Sequence, residues 1–331
     1  MHPFARFIQT LGKGRNGMRP LTREEAYEAM TMIACYDVEP EQLGAFLMLM
    51  RVKEETAEEV AGFVQALRES LPTAGKEYVP AIDWAAYAGK KRQLPWFVLA
   101  ALILARRGYP VLMHGLNRSD DRVYVPEALD ALDIGTAESL QGAVSQLQET
   151  GFSYLPISKL SSLTAQLIAT RDLFGLRPPL HTVARMLNPL AAPLSLIGVF
   201  HPNFGAIHQQ ASLLLEQQKS LVCKGEGGEF ERIPDRAVEI LGVSDGKSWS
   251  ETWPPHMKPG QEIRQDRLNL YHFRAVWEGE AEDNYGEEAV TGTLALVLNA
   301  LDLAQGEESA YELAHQWWRE RHDDPLKREA V

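Results

Sequence analysis

From Val79 onward the sequence alternates short apolar runs of strand character with longer segments of helical period, and this alternation restricts the fold more than any other feature. Val79 to Asp83 reads as a strand, and Leu94 to Arg107 as a helix with Pro95 in its first turn. After Gly108 comes a strand, Pro110 to His114, and a helix near Ala137 to Glu149 leads into the strand Phe152 to Ile157. Pro193 to Phe200 is a further strand feeding a helix opened by His201-Pro202, and Ser220 to Lys224 is strand-like again. Such an order implies an α/β domain with a central, mostly parallel sheet and helices on both faces. Val238 to Val243 and Ser248 to Trp253, joined around Asp245-Gly246, read as a hairpin. Two helices, Val290 to Ala304 and Ser309 to Arg321, follow.

The opening seventy residues are different: they read as helices only. Thr22 with Glu25 and Thr56 with Glu59 are capping boxes, and Pro40 stands at a third helix start. With 331 residues, 45% of them apolar, the chain has material for two domains. The turn-rich Pro72 to Gly75 sets the boundary, giving a small all-helical domain, 1–74, and a larger α/β domain, 75–331. A strandless insertion, Ser161 to Phe174 ended by Gly175 and Pro178 to Leu187 ended by Asn188-Pro189, is expected to complete the helical domain. Cys35 and Cys223 are too few for a disulfide framework, and the apolar run Trp96 to Ala105 is too short to span a bilayer. A cytoplasmic protein without membrane contact is expected.

Three segments carry a family resemblance. Met113-His-Gly-Leu-Asn-Arg118, directly after a strand, resembles the Lys-His-Gly-Asn-Arg motif of the anthranilate phosphoribosyltransferases, members of glycosyltransferase family 3. Arg171-Asp-Leu-Phe-Gly175 and Ala184-Arg-Met-Leu-Asn-Pro-Leu190 resemble that family's arginine-bearing helix and its Asn-Leu-Leu-Gly-Pro-Leu segment. The resemblance covers nearly the whole chain and implies a helical domain set against an α/β domain, and dimerisation through the helical domain. The apolar faces of the three short helices, more than so small a layer buries alone, suit a homodimer.

The departures fall on the catalytic chemistry. Where the family has a Gly-Thr-Gly-Gly-Asp loop for the pyrophosphate of phosphoribosyl pyrophosphate, this chain reads Asp83-Trp-Ala-Ala-Tyr-Ala-Gly-Lys-Lys-Arg92. Gly89 remains, and Tyr87 adds bulk where phosphates would lie. The magnesium-binding Asp-Glu pair aligns with Glu229-Phe230, so Glu229 stands for the first acid and Phe230 removes the second. Leu116 is inserted into the substrate motif and displaces Asn117 and Arg118 by one position. Leaving-group stabilisation by magnesium and amide donors would therefore be weakened, and anthranilate transfer is not expected. These departures are similar to those of the YbiB-type branch, which keeps the fold, lacks the biosynthetic activity and binds nucleic acid with little sequence preference. That branch implies a DNA- or RNA-binding homodimer. The alternative is a phosphoribosyltransferase with an altered acceptor, using His114, Asn117, Arg118, Arg171 and Glu229, with Mg2+ as its cofactor.

A formal net charge of −12 opposes polyanion binding at first sight. The charges, however, are segregated along the chain. Residues 1–20 contain Arg6, Lys13, Arg15 and Arg19 and no acid, and residues 84–119 contain Lys90, Lys91, Arg92, Arg106, Arg107 and Arg118 and no acid. Acids concentrate in the N-terminal helices and in 225–290. Lys90-Lys91-Arg92 precedes a helix N-terminus and would add mobile cations to free amides; Lys13, Arg15 and Arg19 belong to a flexible basic loop. These six are the expected phosphate contacts. His201 and His208 are seven apart with no third ligand at metal spacing, and one of Trp317 and Trp318 is expected to pack inward.

Overall fold

The computed structural model describes residues 1–14, 16–118, 120–258 and 268–323. Four helices open the chain: α1 (Ala5–Gly12), α2 (Arg23–Ala34), α3 (Pro40–Lys53) and α4 (Ala57–Ser70). Both threonine capping boxes form, Thr22 accepting from the Glu25 amide and Thr56 from that of Glu59, and Pro40 stands in the first turn of α3. Helix α1 was not legible in the sequence because its buried residues, Phe7 and Leu11, are too few to set a period. α4 crosses α2 so closely that a Cβ on Gly62 would sit 2.3 Å from the Arg23 carbonyl oxygen.

The second part runs β1 (Ile82–Ala86), α5 (Phe97–Arg106), β2 (Val111–Gly115), α6 (Val125–Asp130), α7 (Leu140–Thr150), β3 (Phe152–Pro156), α8 (Ile157–Leu160), α9 (Ser162–Phe174), α10 (Leu180–Ala184), β4 (Leu194–Val199), α11 (Asn203–Leu214) and β5 (Lys219–Lys224). It closes with the hairpin β6 (Val238–Ser244) and β7 (Lys247–Trp253) and helices α12 (Leu270–Glu278), α13 (Asn284–Ala300) and α14 (Glu307–Arg319). Among the described residues the strands form one sheet in the order β3-β2-β1-β4-β5-β6-β7. β1 to β5 are parallel, and β6 and β7 are antiparallel.

Period-2 alternation in the strands divides the interior in two. Ile82, Trp84, Val111, Met113, Leu194 and Leu196 face α5, α13 and α14, while Ala85, Leu112, Leu155, Ile197 and Val222 share a second core with the helical domain and α11. Leu167, Ile168, Leu180 and Val183 of the insertion lie in that second core. Arg68 of α4 fastens the two parts together, donating to the Leu187 and Met186 carbonyls at 2.9 and 2.8 Å.

Three expectations need correction here. The first strand lies three residues later than its hydrophobic run suggested, because Pro80 has no amide to donate and Trp84, Ala85 and Ala86 are buried enough to continue the ladder. Helices α6 and α12 were not read from the sequence at all. The apolar faces of α2 to α4 are covered within the chain itself: Met30, Ile33, Phe46, Leu47, Met50, Val64 and Leu67 are all buried, so unburied helix faces supply no argument for a dimer. Trp318 does pack inward, and Trp317 stacks on Tyr109 beneath Arg107. Among the described residues, no helix is long and apolar enough to cross a membrane.

Candidate functional site

In an open α/β sheet, ligands bind beyond the carboxyl ends of strands at the point where the strand order reverses. Here that point lies between β1, which continues outward to β2 and β3, and β4, which starts the run in the other direction. The loop 87–92 after β1 and the turn Phe200 to Pro202 after β4 therefore frame the site.

The loop after β1 has the form of an anion cradle, with Gly89 in the left-handed region at φ +66°. It is filled from within. The Glu229 carboxylate accepts from the amides of Ala88 and Gly89, both at 2.7 Å, and the Glu226 carboxylate lies 3.4 and 3.3 Å from the amides of Lys91 and Arg92. Glu231 accepts from the Phe97 amide at 2.8 Å, at the start of α5, and pairs with the Lys90 ammonium. Gly198 on β4 lets this acidic turn approach, since a Cβ there would lie 2.2 Å from the Glu229 carbonyl carbon. Burial pushes the Glu229 and Glu231 carboxyls up, against Arg185 and Lys90 respectively.

This arrangement overturns the reading of Lys90 as a mobile phosphate contact. Its side chain is fully buried between Glu231 and Glu226, the latter at 3.0 Å; burial opposes its charge, but the two acids outweigh it and hold its pKa above the ordinary lysine value. Lys91 is exposed and paired with Asp121, and the Arg92 side chain is exposed. Lys13 is exposed, Arg19 forms a two-pronged pair with Glu25 at 2.6 and 2.7 Å, and Arg15 lies outside the described residues. Arg106 and Arg107 sit at the far end of α5, where Arg107 pairs with Glu320. Of the cations in the acid-free stretches, Arg6, Arg19, Lys90, Lys91, Arg107 and Arg118 each meet a carboxylate.

The substrate-motif residues are separated as well. His114 is buried, with Nδ1 2.7 Å from the Tyr87 hydroxyl and Nε2 3.1 Å from Asp83. Leu116 turns into the second core, while Asn117 is exposed. Arg118 pairs with Asp172 at 3.1 Å.

Arg171 instead joins a group of arginines that the sequence did not single out. Burial lowers the pKa of Arg177, and repulsion from Arg171, Arg185 and Arg122 lowers it further; among the described residues no carboxylate lies within 4 Å of it. Arg185 is buried, donating to the His181 carbonyl and lying 6.0 Å over the Tyr87 ring. Arg177, Arg185 and Arg51 of α3 line a cleft of about 150 Å³ together with His181 and the turn Val199 to His201. Burial, with Arg185 and Arg177 adding to it, pushes the His181 imidazole down to about 3, so it is neutral near pH 7. Arg122 caps the loop from outside, donating to the carbonyls of Ala88 and Gly89 at 3.0 and 3.2 Å.

Comparison with known proteins agrees with this architecture. Residues 5–71 match the family model for the glycosyl transferase family helical bundle domain. YbiB of Escherichia coli (strain K12) is 27% identical over 246 residues, covering 72% of this chain and 75% of that protein. An anthranilate phosphoribosyltransferase of Beijerinckia indica is 28% identical over 258 residues, covering 78% and 74%. The crystal structure of anthranilate phosphoribosyltransferase from Thermus thermophilus superposes with a TM-score of 0.75 at 21% identity, covering 96% of this chain and 94% of that one. The Saccharomyces cerevisiae enzyme in complex with PRPP and Mg gives 0.74 at 13% identity, covering 96% and 93%. The opening residues thus match the helical bundle domain of the glycosyl transferase family, and the whole chain shares the fold of the anthranilate phosphoribosyltransferases.

Measured against that family's chemistry, the residues present do not fit a magnesium ion shared with pyrophosphate. One Glu229 oxygen already holds two amides, Glu226 pairs with Lys90, and Phe230 is buried with its ring 5.7 Å from that of Trp84. Glu229 as a metal ligand is therefore replaced by Glu229 as an internal acceptor for the loop amides. His201 and His208 both line the cleft, yet no group of three metal-ligating side chains occurs among the described residues. Glu226, Glu231, Arg51, Arg122, Arg177 and Arg185 are the site residues that the sequence reading missed. The three acids of 226–231 were a usable signal for the first two, and Arg185 lies in the Ala184 to Leu190 segment that carried the resemblance; nothing local distinguishes Arg51, Arg122 and Arg177.

Proposed function

We propose that this anthranilate phosphoribosyltransferase-like protein binds the phosphate backbone of nucleic acid, with little sequence preference and without phosphoribosyl transfer. The observation that carries the reading is the arginine arc at the switch point. Arg171, Arg185 and Arg122 each act on Arg177, and Arg51, Arg177 and Arg185 line one cleft. Glu229 acts on Arg185 and Glu55 on Arg51, but Arg177 has no carboxylate within 4 Å among the described residues, and phosphate is the anion that a planar fork of donors fits best. The filled cradle supports the second half of the proposal, because Glu229 competes with pyrophosphate for the same amides. The arc thus takes the place of Lys90 and its neighbours as the phosphate contact. Homodimerisation through the helical domain belongs to the same reading; the exposed Tyr36 and Val52 are where the contact would be sought.

Fluorescence anisotropy of labelled oligonucleotides over a salt series tests it. Affinity should fall linearly on a logarithmic salt scale, and Arg171→Glu with Arg177→Glu should weaken binding at least tenfold at low salt. Binding no tighter than micromolar at low salt would refute the proposal. Calorimetry with phosphoribosyl pyrophosphate and magnesium is the opposing arm: a clear isotherm would favour a transferase with an altered acceptor, which has the family and the fold on its side.

A further inference from the structure

The cleft beneath the arginines has features that phosphate alone does not use. His181 is 7% exposed and Glu55 is 6% exposed, and both line the cleft. His181 Nδ1 faces the Pro178 carbonyl at 3.4 Å, so that nitrogen carries the proton and Nε2 is a bare acceptor; it has no partner among the described residues. Glu55 accepts from the Thr182 hydroxyl at 3.3 Å through Oε1, while Oε2 is buried without a partner among the described residues. Two unsatisfied acceptors in one cleft cost free energy until a ligand supplies donors. At the mouth stands Phe200, 54% exposed although aromatic, its ring braced edge-on by His201 at 4.8 Å. The cleft volume of about 150 Å³ admits one planar heterocycle and excludes a paired one.

We propose that this cleft receives one unpaired nucleobase from a single strand, stacked on Phe200, with its N–H groups turned to His181 Nε2 and Glu55 Oε2 and its flanking phosphates on Arg51 and Arg177. The inference rests on the backbone-binding reading above and adds the strandedness of the ligand. A base held in a duplex keeps its N–H donors in pairing and its faces in the stack, so it cannot reach the recess. The arginine arc is indifferent to strandedness; the recess is not.

Anisotropy titrations with three probes of equal length separate the two ideas: a base-bearing single strand, an abasic single strand of the same sugar-phosphate backbone, and a duplex. The base-bearing strand should bind about tenfold more tightly than the abasic strand and the duplex. Phe200→Ala, at an exposed position, should reduce its affinity to the abasic level, and Phe200→Tyr should restore it. Equal affinity for base-bearing and abasic strands overturns the inference while leaving backbone binding intact. A base preference that survives Phe200→Ala also overturns it. Failure of all three probes to bind refutes the backbone reading itself.

Discussion

Replacing Lys90 by methionine discriminates between a surface cation and a structural one. The ammonium is fully buried against Glu231 and Glu226, and Glu231 also accepts from the first amide of α5. Removing the lysine leaves a buried carboxylate with no compensating charge, which costs about 3–5 kcal/mol. For a chain of this size each kcal/mol moves the melting temperature by about 2 °C, so Lys90→Met should lower it by roughly 6–10 °C. Lys91→Met, one residue on and paired with Asp121 in solvent, should leave the transition where it is. Burial already pushes the Glu231 carboxyl up, so without Lys90 it binds a proton more readily. The deficit should therefore shrink on acidification, and adding Glu231→Gln to the Lys90→Met variant should recover part of the loss while keeping an acceptor for Phe97. Thermal and urea unfolding followed by circular dichroism read these differences. If Lys90→Met and Lys91→Met melt together, Lys90 is not held as described and its place in the cradle is wrong.

Two further outcomes follow from the geometry. Hydrogen bonding to Arg19 holds the Glu25 carboxyl down at about 2, with the Thr22 amide adding to it, against an ordinary 4.5. A depressed acid contributes stability that is present above pH 4.5 and lost as pH falls toward 2, so Arg19→Ala should raise the Glu25 midpoint in a carboxyl NMR titration and flatten that acid limb; an unmoved midpoint would free Arg19 for phosphate. Gly198→Ala should destabilise by at least about 1–3 kcal/mol in urea, because its Cβ meets backbone atoms of Glu229 and Phe230 that no rotamer change can clear; a neutral result would mean that the acidic turn does not lie against β4.

What could be read from the chain and what could not divide along a physical line. The capping boxes at Thr22 and Thr56, the strands β2 to β5 and the hairpin around Asp245-Gly246 were legible because each depends on residues within a few positions of one another, through periodicity, capping or turn geometry. α6 escaped because six residues are too few to establish a period, and β1 was misplaced because its apolar signal begins before the residues that pair. The motif segments of the site could be seen, and Glu229 was noticed for the right segment and the wrong role.

The sequence by itself determined the βα order and the helical opening domain. It also determined which cations and acids exist, but not which of them meet. Only the tertiary structure decided that Lys90 is enclosed by acids some 140 residues away, while Arg51, Arg177 and Arg185 come together around one cleft and Arg122 and Arg171 act on Arg177. Charge acts through space, and the sheet's reversal between β1 and β4 brings together segments that chain distance keeps apart.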